Sequence, residues 1–136
     1  MKDWLPHALA ALFIYGLWGF FPKLAVRSLS PASALVWEVA GALAVGIAVL
    51  AGMGFRPQYD PKGVFFAVLT GIAGVVGTLF FFAAARTGKI AVVVSLTALY
   101  PLITILLAVL LLGEQLGLRQ MAGMALALAA IFLLSG

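Results

Sequence analysis

The residues that could do chemistry are few, and they cluster early. Glu38 sits in Ala34-Leu-Val-Trp-Glu-Val-Ala-Gly41, an apolar run of membrane-spanning length, and is the only acid well inside such a run. Placing a carboxylate in hydrocarbon costs several kcal/mol on most scales, so an intramembrane acid is a functional hypothesis by default. A desolvated carboxyl reached by water from one side at a time is what proton-coupled exchange with a cationic substrate requires. Tyr15, Trp18 and Trp37 lie near enough in sequence to offer cation–π faces. In a helical hairpin Lys23 falls within a few ångström of the depth of Glu38 at about 1.5 Å per residue. It could pair with the acid or extend its stem to the headgroups. Farther along, Thr97, Tyr100 and Thr104 flank Pro101. That proline removes a backbone hydrogen bond in mid-helix and predicts a kink, a device by which transporters turn backbone polar groups toward a cavity.

The elements that hold these residues must be lipid-embedded. Of 136 residues, 65% are hydrophobic and 9% charged, whereas a soluble domain is about half apolar and about a quarter charged. The net charge of +4 is carried by basic residues scattered in ones and twos between apolar runs. That distribution fits membrane flanks and argues against a nucleic-acid face. With no cysteine, disulfides, thiolate metal sites and cysteine nucleophiles are excluded. No phosphate loop, metal box or nucleophile–base pair is present, so the chain is expected not to be an enzyme and to need no cofactor or metal. The start, Met1-Lys-Asp-Trp followed by a long apolar stretch, predicts a first span and not a cleaved signal peptide.

A hydrocarbon core of about 30 Å takes about 20 helical residues, and five runs qualify: 5–27, 32–53, 63–85, 90–112 and 118–135. The prediction is an all-α, multi-pass protein of five transmembrane helices in one domain, 1–136, with successive helices antiparallel. At 100° per residue, Ala8, Leu12, Tyr15, Trp18, Gly19 and Pro22 share one face of the first span. Glu38 shares a face with Ala34, Gly41, Ala42 and Val45, while Val36, Val39, Leu43, Ile47 and Leu50 lie opposite, toward lipid. Ala67, Gly71, Gly74 and Thr78 align on the third span, with Thr70, Phe81 and Ala85 close by. The fourth aligns Thr97, Pro101, Thr104 and Ala108, and the fifth Gln120, Gly123, Ala127 and Ala130. Small faces of this kind first of all let helices approach closely, and threonines most often bond back to the preceding turn. Glu114 is expected to help cap the last helix or to pair with Arg119.

Order and spacing add a resemblance. Gly88-Lys-Ile-Ala-Val-Val-Val-Ser-Leu96, Pro101, Leu112-Gly-Glu-Gln-Leu116 and Gly123 resemble the final two helices of an EamA-type unit of the drug/metabolite transporter superfamily. Trp18-Gly-Phe-Phe-Pro-Lys-Leu-Ala25 and Ser30-Pro31 resemble that unit's first helix and turn. Lys23, Pro101, Glu114 and Gly123 match the pattern. Glu38 departs from it, standing where many members place arginine, as do Ala129 and Ala130 where a second late glycine is common. Members commonly carry two such units, inverted around a central cavity, so a lone unit implies two copies pairing across the membrane. The resemblance implies a secondary transporter, an exporter or exchanger of small metabolites or organic cations at the cytoplasmic (inner) membrane, working by alternating access. Coupling to protons would run through Glu38. The alternatives are a non-transporting assembly subunit or a component of a lipid-linked sugar flippase.

The charges bear on the pairing. Lys2, Arg56, Lys62 and Arg119 flank the spans on one side, and Lys23, Arg27, Arg86 and Lys89 on the other. Orientation follows an imbalance of these residues, and four against four offers none. Insertion in both orientations, as an antiparallel homodimer, is therefore the prediction. C-terminal reporters active on only one side of the membrane will each give substantial signal in the same cells; a single strongly preferred orientation would refute it.

Overall fold

The computed structural model describes residues 4–135; Lys2 of the charge count lies outside them. The described residues form helices α1 (Trp4–Ala25), α2 (Pro31–Gly52), α3 (Pro61–Thr87), α4 (Ile90–Thr97), α5 (Tyr100–Leu112) and α6 (Leu118–Ser135). Four stretches, Trp4–Ala25, Pro31–Gly52, Pro61–Thr87 and Ile90–Leu112, are long and apolar enough to cross a bilayer, and a shorter apolar stretch covers Leu118–Ala130. The chain is thus an all-α protein with the helices of a multi-pass membrane protein. Its contacts fall into two compact units, one ending at Thr87 and one beginning at Gly88.

Local chemistry sets the ends. Ser30 caps α2, its hydroxyl oxygen accepting from Ser33 N–H at 3.2 Å, with Pro31 as the first helical residue. Asp60 does the same for α3, accepting from Gly63 N–H at 2.7 Å ahead of Pro61. Both satisfy donors that a helix start leaves without partners, and both place proline where its missing N–H costs nothing. Gly113 ends α5 at φ 66°, a left-handed conformation that glycine adopts without steric penalty.

The span read as one helix over 90–112 is two. Pro101 cannot donate to the carbonyl of Thr97. The chain compensates with tighter bonds, Leu99 N–H to Leu96 O at 3.2 Å and Leu102 N–H to Leu99 O at 3.0 Å. The expected irregularity falls at Ala98-Leu99, two residues still in the right-handed helical region that separate α4 from α5 within the one span Ile90–Leu112. The capping of α6 also differs from expectation: Gln120 Oε1, not Glu114, accepts from Gly117 N–H at 2.8 Å.

In the first unit α3 packs against both α1 and α2. Gly19 and Pro22 of α1, Ala34 of α2, and Thr78, Phe81, Phe82 and Ala85 of α3 are its buried helical residues. They are small or aromatic residues on the faces that the helical periodicity aims inward. In the second unit α4 packs on α6, and Ala98, Pro101, Leu102 and Ile105 face Met124, Ala127 and Leu128 across a small apolar cavity of about 100 Å³.

The turn-side ends of α1 and α3 are tied by Lys23, whose Nζ donates to the carbonyl of Ala85 at 2.7 Å. Ala85 is fully buried, and its carbonyl belongs to the last turn of α3, where helical donors run out. A hydrogen bond from a charged donor contributes about 1.5–3 kcal/mol. Lys23→Met keeps the aliphatic stem and removes the donor, so it will lower stability by about 1–3 kcal/mol. Thermal unfolding in one detergent checks this; a melting temperature equal to wild type would show that the bond carries no weight.

Candidate functional site

Glu38 lies seven residues into α2 from Pro31, and Trp18 seven residues back from the end of α1 at Ala25. In a helical hairpin equal counts from the turn mean equal depth, about 10 Å at about 1.5 Å per residue. That register brings Trp18, not Lys23, to the acid: Trp18 Nε1 donates to Glu38 Oε1 at 2.8 Å. Lys23, two residues from the end of α1, is instead level with Ala85, two residues from the end of α3. The indole ring of Trp18 lies over Phe81 of α3, centroids 5.2 Å apart and planes inclined by 34°. Such aromatic pairs contribute about 0.5–1.5 kcal/mol beyond their buried area. One side chain therefore touches both neighbouring helices and holds the carboxylate through one oxygen.

The other oxygen is different. Glu38 Oε2 is buried and accepts no hydrogen bond. Beside it runs a groove of about 240 Å³ between α2 and α3, lined by Glu38, Val39, Ala42, Thr70, Gly71, Gly74, Val75 and Thr78. A Cβ built on Gly71 or Gly74 meets nothing within 4 Å, so these glycines leave the groove open and do not close a helix–helix contact. Thr70 donates its hydroxyl proton to Phe66 O at 2.9 Å and presents lone pairs only. Thr78 is 8% exposed.

The site so built differs in part from the sequence-based candidates. It contains Glu38 and, through the indole, Trp18. Tyr15 and Trp37 are exposed and neither lines the groove. Val39, assigned by periodicity to the lipid side, lines it with Ala42. In the second unit the hydroxyl of Thr97 bonds back to Val93 O at 2.9 Å and that of Thr104 to Tyr100 O at 3.4 Å. Tyr100 is exposed at the start of α5, and Pro101 lines the small apolar cavity of that unit. Thr70, Gly71, Gly74 and Thr78, which the sequence aligns as a packing face, are the groove residues absent from the sequence-based site candidates. Their signal was their common face on α3, which packing alone would also have explained.

Four stretches long and apolar enough to cross a bilayer, with a shorter fifth, define a polytopic membrane protein. Residues 4–136 match the EamA-like transporter family, and the chain belongs to that family. It is 32% identical over 127 residues to an uncharacterized protein of Methanocaldococcus jannaschii, a match that covers 93% of this chain and 91% of the relative. No solved structure matches it.

Proposed function

We propose that the chain is a secondary transporter of small metabolites or organic cations in the cytoplasmic membrane, built from two copies in opposite orientation and working by alternating access. Family membership supports membrane transport. The observation that carries the finer reading is Glu38 Oε2, a buried acceptor without a partner beside an open groove. A carboxylate left this way must be satisfied by a proton, a cation or water, because an unpaired buried charge is costly. Competition between a proton and a cation for one carboxylate couples their movements in opposite directions. Trp18 leaves the protein's own cation, Lys23, out of that competition, since Lys23 is engaged at Ala85. The balanced flanking charges of the sequence support two orientations, which would set a second Glu38 in an inverted partner and give the pair one site for each side of the membrane.

The test is purified protein in liposomes under a pH gradient, screened with organic cations, amino acids and sugars. Glu38→Gln keeps the side-chain size and the acceptor for Trp18 but removes the charge. It will abolish substrate-driven proton flux while expression and thermal stability stay near wild type; full coupled activity in this variant would dispose of the proposal.

A further inference from the structure

Thr78 breaks the pattern of its neighbours. Thr70, Thr97 and Thr104 each donate to a carbonyl one turn earlier, the ordinary behaviour of a membrane threonine. Thr78 makes no hydrogen bond among the described residues, although it is only 8% exposed. It lines the same groove as Glu38, whose Oε2 is equally unpartnered. A carboxylate oxygen and a threonine hydroxyl on one groove, neither hydrogen-bonded within the protein, call for a ligand that supplies more than one hydrogen.

We infer that the α2–α3 groove binds a small alkylammonium ion, a primary or secondary amine in its protonated form. The positive charge meets Glu38. One N–H goes to Oε2 and another to the Thr78 oxygen, with the Thr70 oxygen, its own proton committed to Phe66, as a further acceptor on the same wall. The alkyl body lies on Val39, Ala42 and Val75. At about 240 Å³ the groove falls below the roughly 300–1,000 Å³ of sites for drug-sized ligands, so the chain is short. A quaternary ammonium carries the charge without the hydrogens and leaves Thr78 unsatisfied. An anion meets the carboxylate with repulsion.

This assignment deepens the transport proposal and rests on it for its biological sense, but binding and translocation are measured apart. The full chain in lipid nanodiscs is titrated by calorimetry with butylammonium and with butyltrimethylammonium. Butylammonium will bind at least tenfold more tightly. Glu38→Gln will abolish its binding. Thr78→Val will weaken it fivefold or more while leaving butyltrimethylammonium unchanged, and Thr78→Ser will restore it. Gly74→Val, which has room for its added Cβ, will weaken both ligands at unchanged helicity. Equal affinity for the two ions, indifference to Thr78→Val, or no saturable binding by protein with a wild-type melting curve would each overturn the assignment. Saturable, Thr78-dependent binding without butylammonium flux in liposomes would uphold the site and count against the transport reading.

Discussion

The first unit depends on one constraint: a carboxylate inside an apolar span must be solvated by the protein or by something the protein admits. An acid at the centre of a membrane helix costs about 2.5–3.5 kcal/mol on insertion scales. The hydrogen bond from Trp18 Nε1 to Glu38 Oε1 returns about 1.5–3 kcal/mol of that. The two terms are close, so the chain can keep the acid, but only because the indole is fixed. Its fixing comes from Phe81 on α3, which means that the packing of a third helix determines where the charge sits. The second oxygen, without such a partner, is left for a proton or a ligand.

The rest of the unit follows from that arrangement. Lys23 could have neutralised Glu38 directly, and a salt bridge there would have closed the site. The register of the α1–α2 turn, fixed by the Ser30 cap and Pro31, puts Trp18 at the depth of the acid and Lys23 nearer the membrane edge. There its ammonium stabilises the last turn of α3. Pro22, four residues after Trp18, cannot donate to the indole residue's carbonyl, and it is buried with Gly19 on the same face. Gly71 and Gly74 keep α3 from filling the groove opposite. In a soluble protein such a groove would be a packing flaw; between membrane helices it is a small, mostly apolar compartment beside a carboxylate oxygen that accepts no hydrogen bond.

Much of this was legible in the sequence. Apolar runs punctuated by Ser-Pro, Asp-Pro and Gly-Glu gave helix bounds within about two residues, because caps and prolines act locally. The inward direction of Glu38 with Ala34 and Ala42 followed from 100° per residue. The partner of Glu38 did not, although the information was present: counting seven residues from each side of the turn pairs it with Trp18 as readily as charge pairs it with Lys23. Of the two readings open for Lys23, pairing with the acid is not the one found, because a lysine near a helix end has a second acceptor in the carbonyls that end exposes. Val39 was missed because a groove between two helices spans a wider arc than the single face on which periodicity places a residue. The interruption expected from Pro101 falls two to three residues before it. Losing one donor shifts the neighbouring bonds to a tighter pattern at Ala98-Leu99. Nothing local distinguishes Thr78 from Thr70, and only the packed structure separates them.

The most direct test of the central claim, that Glu38 keeps one carboxyl oxygen without a hydrogen-bond partner beside the groove, is chemical. The protein in lipid bilayers is treated with a hydrophobic carbodiimide, and the adduct is mapped by mass spectrometry with and without an alkylamine. The account predicts modification of Glu38, counted as adduct plus any amide formed with the amine, that falls relative to Glu114 as the amine is raised, and little reaction at Glu38 once Gly74→Val fills the groove. An unreactive Glu38 beside labelled Glu114, or labelling of Glu38 that neither the amine nor the filled groove diminishes, would contradict it.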